Sequence, residues 1–118
     1  TSVATCAPTG ENARVLRQRG LNIIACAQHD GEVALPELLE DLASAGTQSV
    51  FLEGGATLAQ SFLDEDLVDQ LLLFQSDKVL GVDGVSSPVT LQSVSPAFTE
   101  RGVERYGADI LHRFERKR

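Results

Sequence analysis

The chain has 118 residues, 42% of them hydrophobic and 23% charged, the proportions of an ordinary folded domain large enough to bury a core. A formal charge of −7 excludes a broad basic face, and with it nucleic acid or an acidic membrane surface as partner. No apolar run approaches the roughly 18 residues of a membrane helix, and no signal-peptide pattern is present, so a cytoplasmic protein is expected. The basic ending Arg113, Arg116, Lys117 and Arg118 reads as a solvated terminus.

Val3 to Thr5 reads as a short strand, and Cys6 to Gly10 as a Pro/Gly loop. Glu11 to Arg19 has helical spacing through Ala13, Val15 and Leu16, with Gly20 as its stop. Leu21 to Ala27 is nearly continuous apolar sequence, the pattern of a strand covered on both faces. Gln28 to Glu32 reads as a turn, with His29 exposed in it. Leu35 to Ala45 is the clearest helix, with Pro36 in its first turn, a Leu38, Leu39, Leu42 stripe, and Gly46 after it.

Val50 to Glu53 predicts a buried strand, Thr57 to Asp64 an amphipathic helix, and Val68 to Phe74 a further buried strand. Gly81 to Pro88 is a loop. Phe98 to Tyr106 and Ala108 to Arg116, divided by Gly107, predict two antiparallel strands, with Ile110, His112 and Phe114 on one face. The expected fold class is α/β: a mixed, mostly parallel sheet flanked by helices, closing on a C-terminal antiparallel hairpin, in one domain over residues 1–118.

Cys6 and Cys26 are distant in sequence and form no C-x-x-C, and the two histidines do not cluster with them, so no zinc site is expected. Both read as ordinary small side chains, Cys26 buried. A disulfide between them is left open. Asp66 and Asp69 suit surface or capping roles, and Lys78 suits solvent.

The segment with most chemical content is Phe51-Leu52-Glu53-Gly54-Gly55-Ala56-Thr57-Leu58-Ala59. Gly54 and Gly55 let the backbone take positive φ and approach a ligand closely. The following helix start offers unpaired N–H groups and the positive end of its dipole, a setting that suits phosphate. Thr57 can add a hydroxyl and cap the helix. Glu53, acceptor-only when ionised, suits sugar hydroxyls, or would act as an acid/base group if its pKa were raised. The alternative for the same residues is a tight turn with an exposed carboxylate. The spacing is not G-x-G-x-x-G, so no Rossmann fingerprint is present.

The run Phe51 to Leu63, with Asp66-Leu67-Val68-Asp69-Gln70-Leu71-Leu72-Leu73-Phe74, resembles the reductase domain of the bifunctional riboflavin-biosynthesis deaminase/reductase. Leu16-Arg17-Gln18-Arg19-Gly20-Leu21, Leu35-Pro36-Glu37-Leu38-Leu39, Lys78-Val79-Leu80-Gly81 and Gly107-Ala108-Asp109-Ile110-Leu111 resemble it too. Ser76-Asp77 departs from the Ala-Pro many relatives carry there. The resemblance implies a dihydrofolate-reductase-like fold and NADPH-dependent reduction of 5-amino-6-(5-phosphoribosylamino)uracil to its ribitylamino form. It implies that Glu53 binds the substrate's sugar portion. It further implies that Gly54, Gly55, Ala56, Thr57, Leu58, Ala59, Gln60 and Ser61 hold the NADPH phosphates; it implies no catalytic residue and no metal.

The family's reductase domain is about twice this length, within the usual size range of domains. The chain opens on Thr1 without any methionine, and no segment matches the family's other reductase half or its zinc deaminase domain. It is therefore expected to be the C-terminal part of a reductase domain, with half of the active site and an upstream deaminase domain in the full protein. A homodimer is expected, since apolar strand residues such as Ile110 and Phe114 would create a pairing edge. A non-catalytic dimerisation or nucleotide-binding domain, or another dihydrofolate-reductase-like reductase, are the alternatives.

Overall fold

The computed structural model describes residues 1–78 and 81–117; Val79 and Leu80 of the Lys78–Gly81 resemblance, and the terminal Arg118, lie outside the described residues. The chain divides into two compact units, Thr1–Phe51 and Leu52–Arg118.

In the first unit, β1 (Ser2–Thr5) and β2 (Asn22–Ala25) pair in parallel, from Ser2 opposite Asn22 to Thr5 opposite Ala25. Parallel neighbours need a crossover, and α1 (Glu11–Gln18) supplies it. Ala13 is buried at 4% exposure, on the helix face expected from the spacing. The turn at 28–32 is a two-residue hairpin between β3 (Gln28–His29) and β4 (Glu32–Val33). Asp30 and Gly31 both take positive φ, 50° and 82°, as an Asp-Gly type I′ turn requires. Helix α2 (Leu35–Ser44) follows, with Pro36 in its first turn and Ala34 and Leu35 buried.

In the second unit, α3 (Ala56–Asp64) precedes β5 (Gln70–Gln75), β6 (Phe98–Tyr106) and β7 (Asp109–Arg116). The three strands form an antiparallel sheet ordered β5-β7-β6. The β6–β7 turn is made by Gly107, at φ 65°, and Ala108. Arg101 is the extra residue of a bulge, because Glu100 faces Phe114 and Gly102 already faces Arg113. Phe62, Leu111 and Phe114 are the buried apolar side chains here.

The three helices among the described residues end alike. The amide two residues past the C-cap donates to the carbonyl five residues back: Leu21 to Leu16, Thr47 to Leu42, Leu67 to Phe62. This Schellman closure needs a left-handed residue after the cap. Gly20 and Gly46 fill that place in α1 and α2, and Asp66, at φ 63°, fills it in α3.

The mixed α/β character stands, as does the terminal hairpin, but three strand expectations need correction. Parallel pairing among the described residues is confined to β1 and β2, whereas β3–β4, β5–β7 and β6–β7 are antiparallel. Residues 50–53 form no strand, and Val50 and Phe51 are 52% and 75% exposed. Apolar content qualifies a segment to be a strand, but the strand exists only where a neighbour completes its ladder. The strand β5 is the third correction, and it pairs with β7. Its exposure alternates instead of being uniformly buried: Leu71 and Leu73 are half-buried while Leu72 and Phe74 are exposed.

Candidate functional site

The loop 51–55 leads directly into α3, whose N-cap is Gly55 with extended backbone (φ −65°, ψ 176°). The Gly55 carbonyl accepts the first helical bond, from the Ala59 amide at 3.1 Å. By helix geometry the amides of Ala56, Thr57 and Leu58 then have no intrahelical acceptor. No side chain caps this end, and no acid lies in the first turn to answer the dipole. An anion would meet three outward N–H groups and no competing carboxylate within the helix start.

The glycines act differently from the sequence expectation. Neither Gly54 nor Gly55 uses positive φ. A Cβ on Gly54 would come within 2.7 Å of Leu58 Cδ2, so that glycine keeps room for the Leu58 side chain, which is itself exposed. A Cβ on Gly55 would meet nothing within 4 Å, so the space over this helix start is open.

Thr57 is not the cap. It lies inside the first turn, exposed, and its carbonyl accepts the Ser61 hydroxyl at 3.1 Å. That bond occupies the Ser61 proton, which leaves the Ser61 hydroxyl only as an acceptor toward anything else. Gln60 donates to Asp64 at 2.6 Å on the exposed side. Ala59 is half-buried, and Phe62 anchors the helix. Glu53 is exposed and makes no hydrogen bond or ion pair among the described residues.

A second helix start has similar local construction and was not singled out from the sequence. Thr5 ends β1, Gly10 caps α1 with no side-chain bond, and the intervening loop is closed by Gly10 N–H donating to the Ala7 carbonyl at 3.1 Å. A cleft of about 390 Å³ opens there, lined by Val3, Thr5, Ala7, Gly10, Asn12 and Leu16 among others. It lies at the carboxyl end of a parallel strand pair, where open α/β sheets bind ligands. Glu11 occupies its first helical turn and pairs with Arg14, so this start already carries an acid where α3 carries none. The order strand, Pro/Gly loop, helix was the available signal.

The remaining polar residues fall where their ordinary readings put them. His29 is exposed beside Asp30, and Lys78 is exposed with its amide bonded to the Ser76 hydroxyl. His112 is a strand side chain, half-buried, 3.7 Å from Glu100. The basic terminus is the exception: the Arg116 side chain is only 14% exposed and is bound on several sides, not solvated. Cys26 is half-buried, less than expected. No helix among the described residues is long and apolar enough to cross a membrane.

Residues 1–112 match the family described as the RibD C-terminal domain. The riboflavin biosynthesis protein RibD of Actinobacillus pleuropneumoniae is 26% identical over 116 residues, which make up 94% of this chain and 31% of that protein. The chain spans less than a third of the length of the curated relatives it matches. A solved diaminohydroxyphosphoribosylaminopyrimidine deaminase/5-amino-6-(5-phosphoribosylamino)uracil reductase from Thermotoga maritima superposes with a TM-score of 0.71 at 24% identity, over 98% of this chain and 30% of its own. A pyrimidine reductase-like protein from Corynebacterium diphtheriae gives 0.76 at 17% identity, over 99% of this chain and 50% of its own. At these identities the structures share a fold with this chain.

Proposed function

The chain belongs to the RibD C-terminal domain family, and on that footing we propose that it is the C-terminal part of a pyrimidine reductase domain of riboflavin biosynthesis. The reaction is reduction of 5-amino-6-(5-phosphoribosylamino)uracil to the ribitylamino form. The observation that carries this reading is the uncapped, acid-free start of α3 after Glu53-Gly54-Gly55, inside the matched residues.

The residues present fit the phosphates of NADPH. The amides from Gly55 to Leu58 would donate to a phosphate, with Gly54 and Gly55 leaving the approach free of side chains. Leu58, Ala59, Gln60 and Ser61 would complete the wall of that position. NADPH, when bound, supplies the hydride, and the protein supplies orientation and electrostatics. Glu53 would accept hydrogen bonds from the sugar hydroxyls and hold the opened sugar with its C1 carbon accessible. It is assigned to binding because the family resemblance implies that role and no proton transfer.

The full protein, on this reading, carries the rest of the reductase domain and an upstream deaminase domain, works in the cytoplasm and assembles as a homodimer. The lengths of the curated relatives support the first part. Ile110 and the buried Phe114 lie on the central strand β7 and create no pairing edge, so the last part is supported instead by the outer strands β5 and β6, with exposed Phe74, Val103 and Tyr106.

The test is turnover by the full-length parent protein. NADPH oxidation on adding the phosphoribosylaminouracil is expected, and Glu53→Ala should raise KM for that substrate while leaving KM for NADPH nearly unchanged. Turnover of dihydrofolate instead would move the chain to another reductase of the same fold. No NADPH binding by calorimetry in a folded full-length protein would favour a non-catalytic dimerisation role.

A further inference from the structure

Cys6 and Cys26 sit far apart in the chain, but the β1–β2 register brings them side by side. The last register pair is Thr5 opposite Ala25, and Cys6 and Cys26 each follow that pair by one residue. The Cys26 amide donates to the Thr5 carbonyl at 2.9 Å, the bond that closes the Thr5–Ala25 pair and holds Cys26 against the end of β1. The Cys6 thiol reaches across the strand pair, with Sγ 3.6 Å from the Ala27 carbonyl oxygen, one residue beyond Cys26. Cys26 Sγ lies 3.5 Å from the Ile24 carbonyl oxygen. Both thiols are free and half-buried. Neighbouring strands run about 4.8 Å apart, within the roughly 4.4–6.8 Å Cα separation that disulfides adopt.

We propose that Cys6 and Cys26 are a redox modification site, forming a reversible intramolecular disulfide across the carboxyl ends of β1 and β2. The oxidant class is a small-molecule disulfide such as oxidised glutathione. The Cys6 thiolate attacks one of its sulfurs and releases one glutathione thiol, leaving a mixed disulfide on Cys6. The Cys26 sulfur then attacks Cys6 Sγ, loses its proton and releases the second glutathione thiol. Two protein thiols are oxidised, one glutathione disulfide is reduced to two thiols, and atoms and electrons balance. Cys6 makes the first attack because burial pushes the Cys26 thiol upward in pKa and keeps it protonated. The bond tethers the loop 6–10, which walls the cleft beside Thr5, to the end of β2. A transient bridge of this kind is the form disulfides take in a reducing compartment.

The experiment exposes the purified protein to oxidised glutathione, quenches with acid, counts free thiols and maps peptides by mass spectrometry. We expect loss of both thiols, a Cys6–Cys26 linked peptide within one chain, and full recovery with dithiothreitol. The same treatment in denaturant should leave mainly separate glutathione adducts, since the fold no longer aligns the two sulfurs. Cys6→Ser and Cys26→Ser should each stop at a single glutathione adduct. Thiols that stay free, separate adducts on the folded protein, a bridge between chains, or equal bridging in denaturant would each overturn the proposal. The mapping of the unsubstituted protein decides even if a serine variant fails to fold.

Discussion

Asp66 occupies the left-handed position that ends α3, and the Arg116 guanidinium on β7 holds its carboxylate. The same guanidinium donates through Nε to the Val68 carbonyl at 2.8 Å and lies over the Phe98 ring, 5.3 Å from its centroid. The Arg116 amide donates to the Asp69 carbonyl at 2.9 Å. One arginine therefore fastens the α3–β5 connection to the far end of β7.

Arg116→Ala should destabilise the protein by about 1.5–3 kcal/mol, the range for a hydrogen bond to a charged group. Asp66→Gly should stay within about 1 kcal/mol of the parent, because relief of the left-handed backbone offsets loss of a pair that is exposed on its acidic side. Asp66→Val should cost clearly more than Asp66→Gly, since a β-branched residue is strained at this φ. Urea unfolding of the three variants orders them, and equal losses for Asp66→Gly and Arg116→Ala would contradict this account.

Gly55→Asp separates stability from ligand binding. Aspartate is a better N-cap than glycine, by a few tenths of a kcal/mol, so the helix should be slightly stabilised. The added charge stands where the amides of Ala56 to Leu58 would meet phosphate, so NADPH affinity of the full-length protein should fall by at least about tenfold. Gly55→Asn, similar in shape but uncharged, should retain most of the affinity. Calorimetric titration of the pair distinguishes charge from bulk.

Leu111 and Leu72 give a contrast on one sheet face. Both point to the side opposite Phe114, yet Leu111 is 3% exposed and Leu72 40%. Leu111→Ala should cost about 2–5 kcal/mol in denaturant unfolding, the range for truncation in a packed site. Leu72→Ala should cost less than about 1.5 kcal/mol, having less area to lose.

The chain has one tyrosine and no tryptophan, so phenolate absorbance reports Tyr106 alone. Its hydroxyl donates to the Glu104 carboxylate, and that bond, with the charge behind it, raises its pKa above the ordinary phenol value. The raised group favours the folded state below the unfolded phenol pKa, and that contribution is lost as pH climbs through the folded value. Glu104→Gln should bring the spectrophotometric midpoint down, and an unmoved midpoint would contradict the assignment.

The helices were legible because their signals are local. Pro36 at a start, Gly20 and Gly46 at two ends, and the Leu38, Leu39, Leu42 stripe all act within a turn or two of backbone. The third helix ends at Asp64 as the spacing predicts, but its stop residue is not legible, because Asp66 takes a glycine's conformation and pairs with Arg116, remote in sequence. The candidate site was legible in position, since Glu53 to Ser61 are consecutive, but not in detail. Gly54 matters through the Leu58 side chain, and Ser61 spends its proton on Thr57, and neither follows from spacing.

By itself the sequence determined where chain segments would coil into helices, where the 106–109 hairpin would turn, and which stretch offers bare amides beside a carboxylate. Each depends on bonds between residues three to five apart. Tertiary structure alone decided that β5 pairs with β7, that Val50 to Glu53 joins no ladder among the described residues, and that Cys6 and Cys26 both follow directly on the Thr5–Ala25 pair. A strand's hydrogen-bonding groups point sideways and are satisfied by whichever distant segment arrives, so its partner is a property of the assembled fold.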